Sequence, residues 1–225
     1  LGKMGRFRDQ GQLMCELAGL FEFAGEPQQA VKCFNRARNV GEAHGFFSIE
    51  CRACKGLGQL AMKEGRCQDA VDLLQNALAA VPLIEVEDST RQLDILELLI
   101  DALYLTDAID DVEPLVPRFR KAAKEEARKT GGFCFFELTS FVISARFHEA
   151  RGKSRDAARE VRALLNLLRR HEAEVQMHPV VRACEESLRV AATNLKILDP
   201  AHGEEELIAE MASELAKLRA HIGPV

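Results

Sequence analysis

The sequence predicts an all-α protein, a solenoid of about five antiparallel helical hairpins. Three observations predict it. Apolar residues recur at helical spacing along most of the 225-residue chain, and a pattern of Leu, Gly and Ala repeats after forty residues near its start. Trp is absent and Tyr occurs once, which disfavours the aromatic-rich strands of an all-β protein. Repeated hairpins that cannot bury their apolar faces alone are the units of a solenoid.

The first two hairpins are related by this forty-residue shift. It aligns four pairs of residues: Leu17 with Leu57, Gly25 with Gly65, Ala30 with Ala70, and Ala37 with Ala77. A glycine at the turn between the two helices of each hairpin supplies the left-handed conformation that ends a helix. Pro27 suits the first turn of the helix that follows, and Ala30 and Ala70 are small enough for paired helices to approach closely. We therefore predict hairpins over residues 7–43 and 44–82.

Helical spacing predicts three further hairpins, at about residues 90–130, 133–171 and 178–222. In the third, Pro114 and Pro117 either lie in the first turn of the second helix or split off a short segment. In the last, Asp199 and Pro200 interrupt the helical pattern. Together the five hairpins predict a single helical-repeat domain over residues 1–225.

These repeated positions resemble the tetratricopeptide repeat (TPR), whose pattern is a bulky residue, Leu-Gly, an aromatic, a Gly turn, Ala, an aromatic, Ala and Pro. The first hairpin matches at Leu17, Phe21, Gly25, Ala30, Phe34 and Ala37, and the second at Leu57, Gly58, Gly65, Ala70, Ala77 and Pro82. The forty-residue period exceeds the usual ~34 and is similar to the long-helix repeats of LGN/Pins and rapsyn-type scaffold proteins. The resemblance implies a right-handed superhelix and a non-catalytic protein-interaction scaffold.

The resemblance also implies where a partner binds, because the first helix of each hairpin lines a concave groove in such repeats. The groove residues expected to bind are Arg52, Lys55, Gln59, Met62 and Lys63 of the second hairpin, with Phe23 of the first as an apolar anchor. Helical spacing places the four polar ones along one face. We expect a peptide or helical segment of another protein there, with acidic residues. The alternative is that Arg52 and Lys55 pair with Glu16 or Glu22 of the neighbouring helix.

The sequence carries no motif of an enzyme or cofactor site. It has no P-loop, GxGxxG, GxSxG or HExxH, so we predict no catalysis and no cofactor. Seven cysteines, odd in number and irregular in spacing, indicate reduced thiols in the cytoplasm or another reducing intracellular compartment. Cys51 and Cys54 form a lone CxxC, and no second pair completes a zinc site. We predict that they pack in the core and bind no metal.

The charge and hydropathy of the chain exclude two classes of partner. The net charge of −5 argues against a dedicated nucleic-acid binder. The longest uncharged run, residues 73–84, has 12 residues, whereas a membrane span needs about 20 apolar residues. We therefore predict neither nucleic-acid binding nor membrane insertion.

Charge is also distributed unevenly along the chain. Residues 85–113 contain ten acidic residues and one basic, whereas residues 118–170 contain fourteen basic and six acidic. Blocks of this kind mark a partner surface, or they complement each other between hairpins or face solvent. A separate alternative for the function is that the chain is a structural subunit packed into a larger assembly through convex and terminal surfaces.

Overall fold

Every regular element in the described part of the chain is helical. The computed structural model describes residues 2–84, 89–131 and 134–171, and the single positions 209, 212, 213 and 216. The helices are α1 (Gly2–Phe23), α2 (Pro27–His44), α3 (Phe47–Lys63), α4 (Cys67–Ala80), α5 (Ser89–Leu105), α6 (Ile109–Val112), α7 (Leu115–Thr130), α8 (Phe135–Ala150) and α9 (Ser154–Arg170). A 3-10 turn at Val81–Leu83 follows α4. The predicted all-α fold is confirmed.

The chain forms two compact units, residues 1–111 and 112–225. In the first unit, α1 packs against α2, α3 against α4, and the neighbouring pairs meet through α2 with α3 and α4 with α5. In the second unit, α8 packs against both α7 and α9. The single domain over residues 1–225 stays a prediction. The predicted hairpin at 178–222 lies outside the described residues.

One turn recurs after α1, α3, α5 and α8. The second residue beyond each helix is left-handed: Gly25 (φ 76°), Gly65 (φ 75°), Asp107 (φ 58°) and Gly152 (φ 68°). The next residue donates its backbone N–H to a carbonyl five positions back, from Glu26 to Phe21 at 2.8 Å and from Ala108 to Leu103 at 2.9 Å. These bonds satisfy carbonyls that a helix end leaves open. The left-handed conformation predicted for Gly25 and Gly65 is confirmed.

The turns after α5 and α8 therefore have the same geometry as those after α1 and α3. At position 107 the turn is made by Asp, which tolerates the left-handed region better than most residues. Both predicted alternatives for the two prolines occur. A short helix, α6, is split off and ends before Pro114. Pro117 lies in the first turn of α7. The segment between α5 and α7 is thus partly helical. Pro82 lies in the 3-10 turn that ends the second hairpin.

Small residues set the distance between helices in the first unit. Ala30 and Ala70 are completely buried, as expected for points where paired helices touch. A Cβ added at Gly56 of α3 would lie 2.4 Å from the Phe34 ring of α2. At Gly41 of α2 it would lie 2.9 Å from the backbone nitrogen of Glu50. These contacts fix the rotation of α3 about its axis, so that its polar side faces away from α2.

Candidate protein-binding face

The predicted groove residues of α3 lie on one accessible side of that helix. Arg52 and Lys63 are exposed, while Lys55, Gln59 and Met62 are half-buried. The opposite side packs in the core through nine buried residues: Ile49, Cys51, Ala53, Cys54, Gly56, Leu57, Gly58, Leu60 and Ala61. An apolar stripe at a period of 3.6 residues requires this division between a buried and a polar face.

Two ion pairs join the polar side of α3 to its neighbours. The Lys63 ammonium lies 2.5 Å from a Glu22 carboxylate oxygen of α1, and the Lys55 ammonium lies 2.8 Å from an oxygen of Asp94 on α5. Glu22 of α1 therefore pairs with Lys63, a residue that the alternative did not name. The partner named for Lys55 was wrong, because that side chain turns to α5. Each pair spans about one repeat, 41 and 39 residues.

Arg52 differs from the two lysines. It is exposed and forms no ion pair with any residue in the described part of the chain. Its positive charge interacts with the buried Cys15 thiol of α1. Burial raises the pKa of that thiol, and the charge of Arg52 lowers it by a smaller amount. The guanidinium therefore lies beside α1 with its donors open to a ligand.

A cleft begins one turn before Arg52. It has a volume of about 450 Å³ and is lined by Arg8, Gln12, Gly45, Phe46, Phe47, Ser48, Leu83, Ile84 and Arg91. The Arg8 guanidinium lies over the Phe46 ring, 5.4 Å from its centroid, which restricts its rotamers at the rim. Ser48 lies one helical turn before Arg52, so the cleft continues the accessible side of α3. Sequence reasoning missed this cleft because its walls come from α1, the α2–α3 turn and α5.

The opposite end of the face is apolar. Phe23, at the end of α1, is 94% exposed. Its neighbour Glu22 pairs with Lys63, so Phe23 lies at the Lys63 end of the polar side of α3. Met62 is half-buried at the same end. An aromatic ring this exposed has lost no water on folding and is available to a partner.

We call this surface the α1–α3–α5 face and define it by three rows of residues. The α1 row contains Glu22 and Phe23, the α3 row Arg52, Lys55, Gln59, Met62 and Lys63, and the α5 row Asp94, Glu97 and Asp101. The helices adjoin in this order, since α3 contacts both α1 and α5. A basic row thus lies between two rows that contain acids, and a segment lying across the face meets charges of both signs.

The buried cysteines have thiols of low reactivity. Cys15, Cys51 and Cys54 are at most 1% exposed. Burial raises the pKa of the Cys15 thiol to about 11 and that of the Cys54 thiol to about 11. Thiolate is the reactive form and the form that binds metals. Both thiols are therefore protonated near neutral pH, as the packing interpretation of the CxxC pair requires.

Alkylation measures this directly. At about pH 8, where a thiol of pKa about 11 is roughly one-thousandth ionised, we expect Cys15 and Cys54 to resist iodoacetamide in the folded chain. The partly exposed Cys67 serves as the internal control and should react first. Because the folded pKa values are raised, the stability that these thiols contribute should be lost as pH rises from about 9 towards 11. Rapid labelling of Cys54 in the folded chain, mapped by peptide mass spectrometry, would contradict the assignment.

Neither a membrane span nor a metal cluster occurs among the described residues. None of their helices combines the length and the hydropathy needed to cross a bilayer. No group of three or more His, Cys, Asp or Glu side chains in this part of the chain is arranged to hold a metal ion.

The fold is similar to that of solved TPR-like repeat proteins. A variant of a Podosopora anserina protein, described as a kinesin light chain with nearly identical TPR-like repeats, has a TM-score of 0.68 at 18% identity, over 96% of each chain. A second structure of that description has a TM-score of 0.66 at 17% identity, over 99% of each chain. No protein-family model and no curated protein matches the chain. The similarity confirms the predicted TPR-like helical solenoid.

Proposed function

We propose that this chain is a non-catalytic scaffold that binds a peptide or helix of a partner protein on the α1–α3–α5 face. One observation carries the proposal: exposed Arg52 lies between a cleft bordered by Arg8 and Arg91 at one end and exposed Phe23 at the other. The distance from Ser48 to Lys63 along α3 is about 22 Å. An extended segment of about seven residues spans it.

The face also suggests the chemistry of the partner. An acidic residue of the segment would meet Arg52 and the cleft, and an apolar side chain would cover Phe23 and Met62. Lys55 and Lys63 already hold carboxylates of the chain itself, so they contribute less charge than the sequence alone implied. Exposed ion pairs stabilise a complex by only about 0–1 kcal/mol each, so the apolar end supplies most of the affinity.

Peptide selection tests this proposal. Peptides selected from a random phage-displayed library on the intact chain should combine an acidic residue with an apolar one. For such a peptide, Phe23→Ala should weaken binding about tenfold or more through lost apolar burial. Arg52→Glu should weaken it about fivefold by replacing attraction with repulsion. Fluorescence anisotropy on the purified variants measures both effects.

The matched control is Arg36→Glu, which reverses an exposed arginine on α2, away from the face. It should leave the affinity of the selected peptide unchanged. If Arg52→Glu and Phe23→Ala also leave it unchanged while the variants stay folded, the face is not the site.

A structural subunit is the second candidate function. It is supported by Leu13 and Leu20 of α1, which are 52% and 65% exposed on one side of that helix. Apolar side chains in such a row suit permanent burial in an assembly. Under this alternative, Leu13→Lys with Leu20→Lys abolishes incorporation into the assembly, and the peptide affinity of the α1–α3–α5 face stays unchanged.

We also propose a subtype of TPR repeat and a cellular compartment for this chain. The forty-residue spacing between Gly25 and Gly65 supports a long-repeat TPR similar to those of LGN/Pins and rapsyn. No disulfide joins any of the six described cysteines, which supports a reducing intracellular compartment, the cytoplasm above all.

A further inference from the structure

The second compact unit carries a strongly basic surface that the α1–α3–α5 face does not include. Between residues 118 and 170, twelve of the fourteen Lys and Arg residues are exposed, whereas Glu125 alone of the six acidic residues is exposed. Ten of these exposed cations lie on two helices: Arg118, Lys121, Lys124, Arg128 and Lys129 of α7, and Arg155, Arg159, Arg162, Arg169 and Arg170 of α9. We call these ten the α7–α9 basic surface.

Both helices pack against α8, and an ion pair also links them to each other. Arg120 of α7 donates from both terminal nitrogens to the two carboxylate oxygens of Glu160 on α9. The Arg120 guanidinium also lies over the Phe141 ring of α8, 5.3 Å from its centroid. A forked ion pair of this kind fixes orientation as well as distance. The two rows of cations are therefore held in place before any ligand arrives.

Ion pairs between residues that the structure describes involve few of these ten cations. Arg159 pairs with Asp156 at 3.2 Å within α9. In contrast, Lys121, Lys124, Arg155 and Arg162 form no ion pair with any residue that the structure describes. Like charges this close repel one another. Among the described residues this repulsion is largely uncompensated, and an anionic segment would relieve it.

We propose that the α7–α9 basic surface binds an acidic α-helical segment of a partner protein. The α9 row from Arg155 to Arg169 is about 21 Å long, the length of a helix of four turns. Carboxylates at three- and four-residue spacing along such a helix match the spacing of the arginines on α9. The ion pair of Arg120 with Glu160 ties α7 to α9, so the cations of α7 add to the positive field that attracts an acidic segment.

The composition of the surface favours this partner over other polyanions. All the large hydrophobic side chains that are exposed in the described part of the chain lie within residues 1–105. The surface therefore offers no exposed apolar side chain to insert into a bilayer and no exposed aromatic ring to stack on unpaired bases. Glu125 interrupts the α7 row, and exposed Glu113 lies just before α7. These carboxylates repel a uniformly charged polyanion such as duplex nucleic acid, whereas a protein segment can place neutral or basic residues opposite them.

A designed peptide tests the proposal on the intact chain. The probe is a fluorescent helical peptide of about sixteen residues with Glu at every third or fourth position, so that all the carboxylates share one face. At about 100 mM NaCl, Lys124→Glu with Arg162→Glu should weaken its binding about tenfold or more. The control Lys32→Glu with Arg36→Glu makes the same charge change on exposed positions of α2 and should change the affinity less than about twofold.

Further arms of the experiment decide the class of partner. Lys124→Gln with Arg162→Gln should give an intermediate loss, and it replaces the reversal variant if circular dichroism shows that variant to be unfolded. Three results overturn the proposal: equal weakening by the α2 control, equal binding of a peptide with the same Glu residues scattered around the helix, or tighter binding of short duplex DNA or phosphatidylserine vesicles. The proposal is independent of the α1–α3–α5 face, so Arg52→Glu should leave the affinity of the acidic peptide unchanged.

Discussion

Replacing Gly56 by valine should destabilise the first unit by about 3 kcal/mol, among the largest effects of any single substitution in its helices. The Phe34 ring occupies the space that the new side chain needs, with three ring atoms 2.4, 2.6 and 2.7 Å from the position of an added Cβ. Phe34 is 5% exposed and packs in the core, so its ring has no solvent to move into. Urea denaturation followed by the circular dichroism of the helices measures the loss.

Gly19→Ala is the matched control. Gly19 lies inside α1, and an added Cβ there would meet nothing within 4 Å. Because alanine favours a helix interior over glycine by about 0.5–1 kcal/mol, this variant should be more stable than the native chain. Phe34→Leu should recover part of the loss in the Gly56→Val background, through a coupling of about 1 kcal/mol or more. If Gly56→Val and Gly19→Ala have similar stabilities, the close approach of α2 and α3 is wrong.

The two glycines illustrate how far sequence reasoning reached. Gly19 and Gly56 are both glycines inside helices, and the sequence around them in α1 and α3 does not show which one has a close neighbour. The forty-residue repeat predicted the helices, the left-handed turns at Gly25 and Gly65, and the buried Ala30 and Ala70. It did not predict which further glycine touches a ring, because that depends on how α2 crosses α3. Asp107 was missed for a related reason, since a left-handed turn without glycine has no clear sequence signal.

The residues along α3 that form the α1–α3–α5 face were predictable from the sequence, but their contacts with the neighbouring helices were not. Helical spacing correctly grouped Arg52, Lys55 and Lys63 on one side of α3. It did not assign their partners, because Lys55 has acids within reach on both neighbouring helices and only the packing decides between them. Pairs one repeat apart, such as Lys55 with Asp94, are a signal that sequence analysis of helical repeats can use. The cleft at Arg8 had no such signal, since its lining residues are distant in the chain.

The excess of basic residues was also predictable from the sequence, but the positions of their side chains in the structure were not. The sequence identified an excess of Lys and Arg over residues 118–170 and left open whether neighbouring hairpins neutralise it. In the structure, the main link between α7 and α9 uses one cation, Arg120, and one anion, Glu160. The remaining arginines and lysines of these helices point outward because the buried positions at their helical spacing are apolar. Burial of the apolar stripe thus decides which charges a partner meets.

Arg120→Met should destabilise the second unit by about 2 kcal/mol. The substitution preserves most of the side-chain volume and leaves Glu160, whose side chain is 13% exposed, without its cation. Removing one partner of a buried ion pair costs about 3–5 kcal/mol, and the partial exposure of Arg120 at 29% reduces that effect. Urea denaturation, together with hydrogen exchange of the α7 and α9 amides, measures it in the unit concerned.

The double variant Arg120→Met with Glu160→Met separates the charge from the packing. If the loss in Arg120→Met comes from an uncompensated carboxylate, removing that carboxylate should restore most of the stability, because an apolar pair of similar volume replaces a buried ion pair at little cost. The exposed cations of the α7–α9 basic surface are unchanged in the double variant, so its affinity for the acidic helical peptide should be recovered with the fold. A double variant as unstable as Arg120→Met would mean that Arg120 acts through its contact with Phe141, and the link between α7 and α9 would then depend on packing and not on the ion pair.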